Sequence, residues 1–503
     1  MRVKTAVVAS SQAAADAGAQ MLRSGGSAVD AAVATALASC VADGCNTGLG
    51  GYGGHMVIKP ANGQVISLDF NAWQPQRLYK ETSVMEGALA SVIPNVVAGL
   101  GLAHETHGRL SWPDVCAPAI SLARDGVLCN PTTHAAFAEC AGATFIEQCF
   151  VFSNEASGAT RFIQPDLANT LTMLAERGAD WFYRDAPFID AACASWQAAG
   201  RNITPTDWAD AVDAVSLSPA VSVELGGLTA YLPPPGSSGA LSALATCAAG
   251  QALLARGADL AAPESIVFWA ERIAASWSLR KQLLEVDLPT SSKDLRAWID
   301  RVLSSPVARA PTGPGGHTCH LNTADAEGGL VSMTLTHGPQ WFGARYALTG
   351  HGIIMNAGMP LFGHLSGRRN NGRVYAVTNM SPLLVCGHDG GWLAIGCPGG
   401  RRIPANIGLV VARHLLAGMP LQEAISAGRF HAESRRWAAL ETTRFPVAVS
   451  SALAQQFNSV RHEDWRSYYG PLSAIRLDTD GQLTLGLDDR ETLAYAATTR
   501  DQR

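Results

Sequence analysis

The chain has 503 residues, 47% of them hydrophobic, and a formal net charge of −5. That length can bury a large core, whether in about two to four domains or in one interwoven unit. The charge is small and no Lys/Arg-rich block stands out, so nothing favours a nucleic acid or an anionic membrane surface as partner. Small-molecule or peptide substrates fit better.

Eleven cysteines, an odd number, are scattered through apolar segments from Cys40 to Cys397 and read as reduced thiols. The N-terminus, with Arg2 and Lys4 ahead of a short apolar run broken by Ser10, Ser11 and Gln12, makes a poor secretory signal. No apolar stretch is long enough to span a membrane. A cytoplasmic location is the expectation.

In chain order, residues 11–24 and 27–42 are alanine-rich and periodic, which predicts two packed helices with Ser27 capping the second. A glycine loop at 48–54 leads into the apolar residues 55–58. Across a turn at Asn62-Gly63 the run 65–70 follows, which predicts a β-hairpin. Residues 48–53 match Gly-x-Gly-x-x-Gly, but a dinucleotide fingerprint follows a strand and opens a helix, whereas here a strand comes next. No cofactor is therefore assigned.

Segments 95–107, 112–126, 165–178 and 263–286 read as helices, and 228–232 as a short strand ending in Pro233-Pro234-Pro235-Gly236. The stretch 289–317, with a helix at 293–304 between Pro, Ser and Gly, reads as an exposed connector. Beyond it strands are expected at 318–324, 329–336, 352–355, 382–387 and 391–396, then a helix at 403–417.

The most informative window is Gly315-Gly316-His317-Thr318-Cys319-His320. In isolation it is an ordinary turn before a β-branched strand residue. If the His317–Thr318 bond were cut, however, Thr318 would carry a hydroxyl nucleophile and its own α-amine, whose pKa of about 8 suits a base. His317, Cys319 and His320 lack a known metal-ligand spacing, so no metal is assigned.

Taken in order, several motifs resemble the γ-glutamyltranspeptidase family of N-terminal nucleophile hydrolases. They are Gly25-Gly26-Ser27-Ala28-Val29-Asp30, the glycine loop, Ile93-Pro94-Asn95, Pro118-Ala119-Ile120, the segment from Pro233 to Gly239, Thr318-Cys319-His320, Met380-Ser381-Pro382, Pro398-Gly399-Gly400 and Arg429-Phe430-His431. The resemblance implies an α+β fold, a four-layer αββα sandwich, with a large segment 1–317 and a small segment 318–503 interwoven as one unit. It implies Thr318 as nucleophile, Thr336 as the threonine bonded to it, and Gly399 and Gly400 as the oxyanion hole.

Against that family pattern the head-group reader is altered. Asn71 stands where an arginine would clamp a carboxylate, and an amide cannot replace a guanidinium fork. Asn356-Ala357-Gly358-Met359-Pro360-Leu361-Phe362 lacks the acid that would pair with an ammonium, and Thr378-Asn379 replaces a serine pair. Trp341, beside an expected asparagine that is missing, suits an apolar or planar acyl group, and so does Trp73. Arg77, Arg345, Arg401 and Arg402 are candidates for a relocated clamp.

The leading expectation is a self-processing amidohydrolase or acyltransferase with altered acyl specificity. Substrate binding is assigned to Asn71, Thr378, Asn379 and Trp341, and the partners are a small amide or peptide and the two fragments of one precursor. Alternatives are a hydrolase of a small oxamate-like amide, an acylase in the same fold, and an unprocessed, non-catalytic binding homologue.

Overall fold

The computed structural model describes residues 3–75, 83–233, 238–285, 291–307, 316–362, 368–370, 373–376, 378–464, 468–491 and 493–499. Two antiparallel sheets form its centre. One has seven strands in the order Ala494–Thr499, Val3–Ala9, His317–Ala324, Leu330–Gly338, Gly53–Lys59, Ile66–Asp69, Ser216–Pro219. The other has six, in the order Leu483–Leu487, Ser473–Leu477, Trp392–Gly396, Leu383–Cys386, Leu228–Leu232, Val221–Leu225.

The two-residue period of a strand sorts side chains into three cores. Val7 and Ala9 face one helical layer, while Ala6 and Val8 between them face the second sheet. Leu383 and Val385 likewise pack on the other helical layer and Leu384 between the sheets. Fully burying one such aliphatic side chain contributes about 1.5–3 kcal/mol, and a one-residue slip would exchange the cores, so register is strongly specified. The result is helices, sheet, sheet, helices: the expected αββα sandwich.

The first helical layer is built around Ala28–Ala42, every residue of which is buried. Ser27 Oγ accepts from the Asp30 amide while the Asp30 carboxylate accepts from the Ser27 amide, a closed capping box. On the far side Ser238–Leu254, Pro263–Glu285, Ser292–Ser304 and Ile403–Val411 cover the six-stranded sheet.

The expected hairpin pairs Gly53–Lys59 with Ile66–Asp69, and the expected helices lie at Val96–His107, Trp112–Asp125, Pro165–Arg177 and Pro263–Glu285. Other elements differ. The helix expected to reach residue 417 is α-helical only over Ile403–Val411 and then widens to a π turn over Ala412–Leu416. The strand expected at 352–355 is the two-residue Ile353–Ile354. Val3–Ala9, weighed above only as a leader, is an interior strand. Ser238–Leu254 escaped notice because it is buried almost all round and shows no polar stripe to mark its period. Among the described residues no helix is long and apolar enough to cross a membrane.

Candidate active site

Thr318 lies at the start of a central strand, opposite an irregularity in the pairing. His317 pairs with Gly338 and Cys319 with Leu335, so the partner strand carries one extra residue where it passes Thr318. A bulge of this kind re-aims side chains. Here the Thr336 hydroxyl donates to the His317 carbonyl and accepts from the Gly338 amide at 2.8 Å. The second bond occupies a lone pair and leaves the hydroxyl proton for the carbonyl of the His317–Thr318 peptide.

Thr318 itself is 8% exposed, and its Oγ1 has no hydrogen-bond partner among the described residues. Leaving a buried hydroxyl unmatched costs about 1–3 kcal/mol. The glycine pair is adjacent: a Cβ built on Gly316 would lie 3.3 Å from Gly400 Cα. Gly399 has φ 121°, and a Cβ there would come within 2.8 Å of the Tyr469 carbonyl. Any other residue at 399 would be strained and would displace the turn.

The His317 ring lies against Trp341, tilted by 42°, at 5.1 Å between centroids. Burial pushes its pKa down to about 4, against the pull of Glu139, so the ring is neutral at pH 7. Cys319 belongs to the core on the helical side, beside Ser10, whereas His320 points between the sheets toward Thr334 and Gly396. The strand's alternation thus turns His320 to the face opposite Cys319.

Among the residues expected to read the acyl group, Asn71 is 3% exposed and donates to the Ala376 carbonyl at 2.8 Å, two residues before Thr378. Asn356 brackets the glycine loop through bonds to the carbonyls of Gly50 and Val92. A Cβ at Gly358 would lie 2.8 Å from Val92, and Leu361 packs on the apolar cluster of Tyr52, Val92 and Phe362. The same Cβ would lie 2.8 Å from Asn356 Oδ1.

Sequence reasoning missed Arg280. Its guanidinium, 3% exposed, donates to the Thr378 carbonyl and to Asn379 Oδ1. It also lies 4.8 Å from the Trp277 ring centroid, and Arg401 lies 4.3 Å from the same centroid. Burial, then the Arg401 charge, bring the Arg280 pKa down to about 9, so it stays charged at neutral pH. The only signal in the sequence is the three-residue spacing of Trp277 and Arg280 on one helix.

Three of the four arginines proposed as a clamp have other engagements. Arg401 binds Glu433 through two nitrogens. Burial pushes the Glu433 carboxyl up, but hydrogen bonds from His431 and Arg401 outweigh it and hold the group at about 2. Arg345 pairs with Glu139 and Glu86, Arg402 donates to the Tyr468 carbonyl, and Arg77 lies outside the described residues.

The architecture and its solved counterparts define an N-terminal nucleophile hydrolase fold. The cephalosporin acylase from Bacillus halodurans superposes with a TM-score of 0.82 at 21% identity, over 99% of this chain and 97% of that one. A family model described as gamma-glutamyltranspeptidase matches residues 14–498, and the chain belongs to the γ-glutamyltranspeptidase family, a family of amidohydrolases and acyltransferases. Among its relatives, the glutathione hydrolase proenzyme of Pseudomonas sp. (strain A14) is 29% identical over 475 residues, 84% of this chain and 81% of the relative. The acylase ACY 1 proenzyme of Pseudomonas sp. (strain SE83) is 26% identical over 521 residues, 95% of this chain and 90% of the relative.

Proposed function

We propose that this enzyme is a self-processing threonine amidohydrolase or acyltransferase with Thr318 as nucleophile and an acyl specificity other than the ordinary γ-glutamyl group. One observation carries the reading: the Thr336 hydroxyl holds the carbonyl of the His317–Thr318 peptide while Thr318 Oγ1, beside it, has no hydrogen-bond partner among the described residues. In processing, Oγ attacks the His317 carbonyl carbon, the C–N bond breaks, and the nitrogen of Thr318 leaves as an amine carrying the hydroxyl proton. Water hydrolyses the resulting ester, leaving a His317 carboxylate and a free Thr318 amine.

In turnover that amine takes the hydroxyl proton as Oγ attacks the substrate amide and returns it to the leaving amine. Gly399 and Gly400 stabilise the oxyanion through their backbone N–H groups. Water or an acceptor amine then releases the acyl group. The cut divides the chain into segments 1–317 and 318–503, whose strands are intermixed in the seven-stranded sheet, Val3–Ala9 lying between strands of the smaller piece, and this keeps the pieces together.

Altered acyl choice is supported by Asn71 turned to a backbone carbonyl and by the apolar packing at Gly358 and Leu361. Burying an α-ammonium there without a carboxylate would cost several kcal/mol. The eleven cysteines, all unbridged, suit a reducing compartment, and a cytoplasmic location belongs to the same reading. Thr318→Ala tests the assignment: it should remain a single folded chain without amidase activity, whereas self-cleavage or hydrolysis at a comparable rate would demand another nucleophile.

A further inference from the structure

Trp277 receives two guanidiniums, each anchored to a different part of the site. Arg280 grips the turn at Thr378 and Asn379, through a backbone carbonyl and a side-chain amide. That turn is closely backed, since a Cβ on Gly239 would lie 2.5 Å from the Asn379 carbonyl. Arg401 directly follows the glycine pair and is fixed by Glu433, 3% exposed, which also bonds His431 at 3.2 Å. Both guanidiniums lie within 5 Å of one indole centroid, at 4.8 and 4.3 Å, a range in which cation–π attraction operates.

We infer that Trp277, with Arg280 and Arg401, couples the acyl-reading turn to the oxyanion turn, so that Arg280 is a positioning residue for both acyl choice and turnover. This rests on the proposed function above, because it takes Gly399 and Gly400 as the oxyanion donors. Two like charges at one ring repel, and the indole face together with the Glu433 carboxylate is what lets them stand close. A displacement of either arginine is therefore felt by the other. Lysine cannot reproduce the coupling, because a point-charge ammonium lacks the planar fork that reaches Thr378 and Asn379 together.

The test is a double-mutant cycle on self-cleaved protein, with Arg280→Lys, Arg401→Lys and the double variant, in the native background and with Trp277→Leu. The probes are γ-glutamyl, glutaryl and butyryl p-nitroanilides, and kcat and KM are recorded separately. Loss of one charge-assisted bond is worth about tenfold or more. Arg280→Lys should therefore change the ratio of kcat/KM between two acyl groups by about tenfold and also lower kcat. The two single losses should fail to multiply in the native background and should multiply once Trp277 is leucine.

Asn379→Ala, a milder change at a half-buried residue, should shift the same ratio in the same direction. The inference is overturned if the selectivity ratios stay within about twofold of the parent, or if the losses multiply in the native background. Failure of the underlying reading is distinguishable, because the unmodified chain would then be uncut at Thr318 before any of these variants is made.

Discussion

The two ends of the site are built from different material. At the proposed reaction end, the geometry comes from backbone: a bulge in strand pairing, a carbonyl held by Thr336, and a glycine turn with φ 121° at Gly399. At the end proposed to read the acyl group, it comes from side chains on separate elements, with Arg280 from a helix meeting Thr378 and Asn379 from a loop. Backbone geometry is tied to the register of the whole sheet and tolerates little change. Side chains brought from afar can be exchanged one at a time, so specificity can be rewritten while the reaction is kept.

The sharpest way to break the comparison is at the glycine turn. Gly399→Ala puts a Cβ 2.8 Å from the Tyr469 carbonyl at a backbone angle that L-residues avoid. It should cost about 10²–10³ in kcat, the usual effect of losing an oxyanion donor. Steady-state kinetics would check this, and a kcat within a few-fold of the parent would mean that the turn does not act on the oxyanion.

Next in size is substrate choice. An arginine and an acid are absent at Asn71 and Leu361, and each charge-assisted bond forfeits about 1.5–3 kcal/mol. Glutathione and γ-glutamyl anilides should trail amides of acids lacking the α-ammonium by about two orders of magnitude or more in kcat/KM. Glutathione turnover at about 10⁴ M⁻¹s⁻¹ or above would show that Thr378, Asn379 or Arg280 reads the glutamyl group after all.

At the proposed reaction end only the Thr318 window was readable from its own residues, as a threonine just before a strand. Thr336, late in its strand, and the glycine pair entered only through the family resemblance, and the structure sets Gly316 against Gly400 and Thr336 against the His317 carbonyl. Arg280 was illegible, since a helical arginine is usually a solvated one and only tertiary packing brings it to Asn379. Ser238–Leu254 and Val3–Ala9 were lost because buried elements on both sides of a layer carry no polar alternation to read.

A third expectation concerns acid. Burial holds both His320 and His337 at about 3, far below the 6.5 of a free imidazole. The unfolded chain then binds more protons than the folded one as pH falls below 6.5. The stability is fully present above that value and is lost as pH drops toward 3. Between pH 7 and 5 each histidine should cost about 2 kcal/mol. Urea unfolding of the uncut Thr318→Ala protein would check this, and a flat stability over that range would contradict it.

The smallest effect is expected from Thr336→Val, which keeps the β-branched shape and removes the hydroxyl that holds the His317 carbonyl. Losing one hydrogen bond of about 0.5–1.5 kcal/mol should slow self-cleavage by up to about tenfold. A time course on gels would read it. An unchanged rate would place the polarisation of that carbonyl elsewhere.

The most direct measurement is N-terminal sequencing and intact mass of the purified, unmodified protein. Cleavage before Thr318 yields pieces of 317 and 503 − 317 = 186 residues, and the smaller should begin Thr-Cys-His. A single chain of 52.7 kDa that stays uncut under native conditions, or a new terminus at any other residue, would contradict the assignment of Thr318.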